Sequence, residues 1–405
     1  MAQGRDEELQ RLRGICRLCW YRPVAMRLLH TSDWHLGRTF HGAPLLSQQV
    51  AALEAMVELV RSEAIDVVLV AGDVYDRQLP PVDAVEALSE ALAALRAAGA
   101  RVVAISGNHD SGRRLAYGSP LLAQAGVSVA GDPRAAGQPV LITATDGGPD
   151  LAVYPIPYLE PEIARHHLGA PGARGHEAVL RIALDRARAD ACSRGAAHRT
   201  VAVAHAFAAG GRPSDSERAL TVGGSALVPL RCFDRFDYVA LGHLHGRQVL
   251  GEGRVRYSGS PVPYSFSERD QRKSVEIVDL APDGAVRAEP APLPEGRRLA
   301  AVCGTFDDLL ASRAHAHAEG CWVQATVTDP VLPRDAMARL RQRFPHAVVL
   351  LHEPPAASTP QPSYRERTRG LDDLDLTCRF VTEMAGAPPT SLERRDLVAA
   401  LEGSQ

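Results

Sequence analysis

The chain of 405 residues is long enough for two or three domains with sizeable cores. Its net charge of −3 leaves any nucleic-acid-binding face to a local patch, and no apolar run approaches the ~18 residues of a membrane span. Of its 45 basic residues only Lys273 is lysine, so arginine richness alone does not signal phosphate recognition, and seven scattered cysteines make no disulfide framework and fit a reducing cytoplasm.

Residues 1–25 hold Cys16-Arg-Leu-Cys19, which by spacing is half a zinc site or a redox pair. No second pair, nearby histidine pair or preceding strand completes it, and the segment lacks a signal peptide's apolar core. It reads as a non-functional extension ahead of a start at Met26. From there strand and helix alternate. Arg27 to Thr31 reads as a buried strand, Leu45 to Arg61 as a helix, Asp66 to Ala71 as a β-branched buried strand. Val82 to Ala98 is a second helix closed by Gly99, and Val102 to Ile105 a third strand. Further strands are predicted at Leu151 to Tyr154, Thr200 to Ala204, Tyr238 to Leu241, Val255 to Tyr257 and Ser274 to Leu280. Continuous apolar strands between helices predict an α/β layer protein with covered sheet faces.

Five of these strands end in polar residues of one kind. They run into Ser32-Asp33-Trp34-His35, Gly72-Asp73-Val74-Tyr75-Asp76, Gly107-Asn108-His109-Asp110, His205, and Gly242-His243-Leu244-His245-Gly246. Carboxyl ends of strands converge on one crevice in open α/β sheets, so these side chains are expected around one point. Gly72, Gly107 and Gly242 stand where the chain turns sharply beside it. Carboxylate, imidazole and one amide oxygen, without thiolate, suit borderline divalent metals such as Mn²⁺, Fe²⁺ or Zn²⁺. The set is too large for one ion. Two ions ~3.5–4 Å apart with a bridging carboxylate would use it and would serve in-line phosphoryl displacement. Taken singly, each motif is also an ordinary cap or turn; the ordered set of five is not.

These motifs resemble those of the calcineurin-like metallophosphoesterases. The stretches HTSDWHLGRTFHG, AGDVYDRQLP, SGNHDSGRRL and YSGSPVPYSFSE are more narrowly similar to the SbcD family of bacterial nuclease subunits. The resemblance implies a metallophosphoesterase β-sandwich flanked by helices, with a small α/β cap domain and C-terminal helices. It further implies one ion held by Asp33, His35, Asp73 and His245. A second would be held by Asp73, Asn108, His205 and His243, with Asp73 bridging. His109 would stabilise developing charge or protonate the leaving 3′-oxygen, and Asp76 would orient a ligand histidine or simply make a turn. Arg113 and Arg114, just past the site, are candidate phosphate contacts as well as plausible surface arginines.

The implied domains are 26–285 for the nuclease, 286–353 for the DNA-capping domain, 354–370 for a Pro/Ser/Arg-rich linker and 371–405 for helices that bind a partner. In the family that partner is the SMC-like ATPase SbcC, with the nuclease a homodimer inside a heterotetramer that acts on DNA. No GxxxxGK[ST] motif occurs, so ATP dependence would come from outside the chain. The expected protein is a cytoplasmic Mn²⁺-dependent DNA nuclease, an exonuclease on duplex ends and an endonuclease on single strands or hairpins. The competing readings are a dimetal phosphodiesterase or phosphatase acting on nucleotides or phosphoproteins, and a DNA-end scaffold whose metals are structural.

Overall fold

The computed structural model describes residues 25–145, 147–194, 198–218, 220, 226–355, 368 and 370–402. The Cys16/Cys19 pair with nearly all of the 1–25 segment, and most of the 354–370 linker, lie outside the described residues. The first strands, β1 (Met26–Thr31), β2 (Val67–Ala71), β3 (Arg101–Ile105) and β4 (Val127–Ala130), pair in parallel. A second sheet is built from β5 (Val140–Ile142), β6 (Asp150–Ile156), β7 (His198–His205), β8 (Tyr238–Gly242), β9 (Gln248–Leu250) and β10 (Val255–Tyr257). Its spatial order is β9-β10-β8-β7-β6-β5. The chain then returns: β11 (Ser274–Leu280) pairs antiparallel with β1, and β12 (Val286–Pro292) with β11, completing the order β12-β11-β1-β2-β3-β4.

The continuous apolar reading of these strands has a direct cause, because both faces are buried. Leu28, Val67, Leu69 and Val103 face Leu151, Val153, Val201 and Ala240 across the gap between the sheets. Their alternates Leu29, Val68, Val70 and Val102 face helices α1 (Leu46–Ser62) and α2 (Val82–Ala97) through Leu53, Met56, Val60 and Leu88. On the far side, α3 (Pro161–His167) and α4 (Gly175–Arg194) cover the second sheet with Ala164, Val179, Leu180 and Leu184. The result is helix, sheet, sheet, helix. A smaller layer follows, with β13 (Leu299–Gly304), β14 (Trp322–Val327) and β15 (Ala347–His352) in that order and helices α5 (Phe306–Ala311) and α6 (Ala336–Arg343) between them. Its Leu299, Trp322, Val348 and Val349 pack against the core beneath α1.

The described chain divides into two compact units. One runs to Val327 and takes in 333–351; the other comprises 328–332 and the segment from His352 onward. In the second unit α7 (Asp373–Ala385) packs on α8 (Ser391–Glu402). The Asp372 side chain caps α7 by accepting from Asp375 N at 2.8 Å, and Phe380 and Met384 stand exposed on it. Among the described residues no helix is long and apolar enough to cross a membrane.

Among the polar side chains between the sheets is that of His30. His30 is fully buried, its Nε2 donating to Leu241 O at 3.1 Å and its Nδ1 accepting from the Tyr238 hydroxyl at 2.8 Å. Burial pushes this imidazole down from 6.5 to about 3, so the fold holds it neutral. The unfolded chain therefore binds the extra proton first as pH falls. Stability from this residue is complete above pH 6.5 and is lost toward pH 3, at about 1.4 kcal/mol per pH unit. Urea melts between pH 7 and 4 should show a steeper fall for the wild type than for His30→Gln; parallel curves would remove His30 as the cause.

Candidate metal centre

The carboxyl ends of β1, β2, β3, β7 and β8 deliver the site, and the backbone is bent hard to do so. Asp33, His35, Asp73 and His243 all take positive φ, at 54°, 43°, 49° and 106°. For residues with a Cβ this region is costly and persists where the surroundings enforce it. Here the enforcement is visible: Asp33 N donates to Gly72 O and His35 N to Asp73 O, at 3.0 and 2.9 Å, sewing the first loop onto the second. Gly72 has φ 91°, and a Cβ there would lie 2.4 Å from His205 Nδ1; at Gly242 one would lie 1.9 Å from Ala71 O. Side chains at these glycines would occupy the space that lets the loops close on one another.

Asp73 is the centre of the arrangement. Its Oδ1 accepts from His109 N at 2.9 Å, while Oδ2 lies 3.6 Å from His35 Nε2 and 3.5 Å from His205 Nε2. Asp33, His35 and His245 form one set of potential ligand atoms within 4.8 Å of each other, and Asp33, Asp73 and His205 form another. Asn108 Oδ1 reaches His205 Nε2 at 2.9 Å, and His35 Nε2 lies 3.1 Å from His245 Nε2. His243 belongs to neither set. Its ring stands edge-on to His205 at 5.5 Å, and its N–H donates to Asp33 Oδ1 at 3.0 Å.

These atoms fit a pair of cations. The Ala71 carbonyl can only accept, so His205 must place its proton on Nδ1, 2.9 Å away, and present a lone pair at Nε2. That lone pair faces the Asp73 carboxylate, two acceptors directed at one place, as a cation requires. Burial raises Asp33 well above the usual carboxylate range, with Asp73 adding to it, and raises Asp73 itself to about 6. Burial lowers His35 and His243 well below 6.5, neighbouring histidines adding to it, and lowers His205 to about 4. Neutral imidazoles are the ligand form, and a divalent ion would return the carboxylates to their ionised state.

His109, also at this point, donates from Nδ1 to Asp76 O at 2.8 Å, with Nε2 4.0 Å from Asp73 Oδ2. Asp76 stands beside two histidines: its carboxylate is 3.7 Å from His35 Nδ1, and its carbonyl accepts from His109. A cleft of about 560 Å³ opens here between Arg38, Asp76, His109 and Arg218. Arg113 and Arg114 are exposed, and Arg114 donates to the carbonyl of Gln78, a residue of the cleft wall, at 3.1 Å.

Sequence reasoning places Asp110 in its motif but gives it no role. Its carboxylate accepts from Val74 N, Tyr75 N and Gly107 N at 3.1, 2.9 and 2.8 Å, stapling the β2 loop to the β3 loop. The GNHD context could have drawn attention to it, but nothing local shows a reach of 36 residues. Burial, followed by the Asp73 charge, raises its carboxyl to about 7. Asp110→Ala would strand three buried N–H groups, and we expect about 2–5 kcal/mol of lost stability in urea unfolding. The same variant should bind added Mn²⁺ more weakly by calorimetry; unchanged stability would show that the loops hold without the staple.

Residues 26–247 match the calcineurin-like phosphoesterase family, and residues 295–385 match the SbcD C-terminal family, described as type 5 capsule protein repressor C-terminal domain. Among solved structures, the chain is similar to a protein of Thermus thermophilus at 13% identity. That alignment covers 66% of this chain and 99% of the other, with a TM-score of 0.38. A dimetal phosphatase from Danio rerio aligns at 14% identity over 67% and 98%, with a TM-score of 0.37. A novel archaeal phosphodiesterase aligns at 12% over 66% and 100%, with a TM-score of 0.30. With its family match spanning more than half the chain and a buried Asp/His cluster compatible with two metal ions at the matched motifs, this protein belongs to the calcineurin-like phosphoesterases.

Proposed function

We propose that the protein is a Mn²⁺-dependent DNA nuclease that works with an SMC-like ATPase of the SbcC type. The observation that carries this reading is the pairing, in one chain, of the phosphoesterase site with a C-terminal region matching the SbcD C-terminal family at 295–385. Asp33, His35, Asp73 and His245 would hold one ion, and Asp73, Asn108, His205 and His243 the other. The 3.5–3.6 Å approach of Asp73 Oδ2 to both His35 and His205 supports a bridging role. Bound divalent ions would supply a water of lowered pKa and neutralise charge at phosphorus.

The chain's own residues do the rest. His109, fixed through Nδ1–H by the Asp76 carbonyl, presents Nε2 to the cluster at the edge of the cleft, and in its doubly protonated form it would give the Nε2 proton to the leaving 3′-oxygen. The β13–β15 layer serves as the cap that guides the strand. The α7–α8 pair serves as the ATPase contact, with exposed Phe380 and Met384 and the half-buried Leu376 and Val381 as the contacting side chains. As in the SbcD family, the working form is a homodimer within a heterotetramer.

End-labelled duplex and single-stranded DNA, with bis-p-nitrophenyl phosphate alongside, separate this reading from its rivals. Cleavage of the small diester with inert DNA would favour a nucleotide or phosphoprotein enzyme; no cleavage of either in Mn²⁺ would favour a scaffold. His109→Ala should retain both ions and its DNA affinity yet cut about 10²-fold more slowly, and a fall in metal content would make His109 a ligand instead. Phe380→Asp with Met384→Asp should abolish co-purification with the ATPase while single-strand cutting in Mn²⁺ persists. Survival of the complex would place the docking surface elsewhere.

A further inference from the structure

The histidine that completes the first metal set is held from behind by a network centred on the chain's single lysine. Lys273 is 9% exposed, and its ammonium sits among four oxygens. These are His245 O at 2.9 Å, Ser260 Oγ at 3.0 Å, Gln271 Oε1 at 3.0 Å and Glu268 Oε2 at 2.5 Å. A compact ammonium with rotatable donors suits acceptors spread around a point, whereas a guanidinium needs them in one plane. In a chain that uses arginine at every other basic position, one lysine marks a place where arginine does not serve. Burial works against both charges of the Lys273–Glu268 pair; four oxygens around one nitrogen decide for the ionised form.

Glu268, fully buried, uses its second oxygen to accept from Ser216 Oγ at 2.6 Å. An ionised carboxylate only accepts, so the serine hydroxyl donates there. It must then accept the hydrogen bond from His245 Nδ1, 2.5 Å away. The network thus assigns the His245 proton to Nδ1 and turns the Nε2 lone pair toward Asp33 and His35. The His245 backbone is clamped as well, its N–H donating to Glu217 Oε1 at 2.8 Å and its carbonyl accepting from Lys273. Ser216 itself is anchored by Arg38 Nη2, which donates to its carbonyl at 3.0 Å.

We infer that Lys273, Glu268 and Ser216 form a positioning relay that sets the tautomer and direction of His245, and through it the affinity of one metal site only, the site shared with Asp33 and His35. The inference rests on the two-metal reading above. Ligand histidines held through the remote nitrogen lose about 10–100-fold in metal affinity when that hold is removed.

The test is Mn²⁺ titration calorimetry on the full-length, chelator-stripped chain, with thermal melts alongside. Wild type should take two ions. Ser216→Ala, which deletes one oxygen and keeps the fold, should weaken one site by about 10–100-fold while leaving the other within about twofold. Ser216→Thr should restore it, and Lys273→Arg should weaken the same site despite keeping the charge. Two wild-type affinities in Ser216→Ala would overturn the relay, as would equal weakening of both sites. If wild type binds two ions without cutting DNA, the nuclease reading fails and the relay stands to be measured. If wild type binds fewer than two, both fall.

Discussion

Two buried carboxylates side by side, Asp33 and Asp73, set the terms for the rest of the molecule. Each is raised by burial, and the Asp73 charge raises Asp33 further, an arrangement that folding alone does not reward. The surroundings supply what they can. Asp33 receives the His243 N–H and the Ser32 hydroxyl, and Asp73 receives the His109 N–H. These donors reach both oxygens of Asp33 but only Oδ1 of Asp73, whose Oδ2 is left turned toward the His35 and His205 imidazoles. Such a site fits cations, and its strained φ angles, glycine contacts and cross-loop hydrogen bonds keep its carboxylates and imidazoles facing one another.

The way the chain returns to its first sheet matters as much as the motifs. Because β11 pairs with β1, residues 258–273 run beside the first loop of the candidate site instead of ending remote from it. Ser258 Oγ then meets Ser32 Oγ at 3.0 Å, and the Tyr264 hydroxyl donates to Trp34 O at 2.5 Å. Glu276, buried in β11, is held by Arg247 and by Arg256 at 3.0 Å, one on the approach to β9 and the other within β10. A charge buried with two partners is tolerable, and it ties the edge of one sheet to the other at the end where the site lies.

The strands and the five polar motifs at their ends are legible in the sequence because buried parallel strands leave an unbroken apolar run and their ends a polar signature. Helix α4 is not, since its buried face relies on Ala183 and Ala187 among arginines and aspartates, and alanine carries little periodic signal. The edge strands β4, β5, β9 and β12 escape notice too, because a strand at a sheet edge carries little of the unbroken apolar run that marks the central ones. Asp110, Ser216, Glu268 and Lys273 are hidden for another reason. Their partners lie many residues away, and only the fold shows that a serine after β7 and a lysine before β11 meet at His245. Asp76 makes two contacts that its place in the motif does not reveal, its carbonyl holding His109 and its carboxylate standing 3.7 Å from His35 Nδ1.

The isolation of Lys273 also defines what the folded surface lacks. Across these 405 residues, one ε-amino group exists, and it is buried among four oxygens. Acetylation, lysine-linked ubiquitin and amine-directed cross-linkers therefore find no free lysine side chain on the native protein. The positive charge of its basic side chains at the surface is carried by guanidinium, which those reagents ignore. Acylation at Lys273 would thus act as a reporter of opening: a protein that takes up the label has already let go of His245.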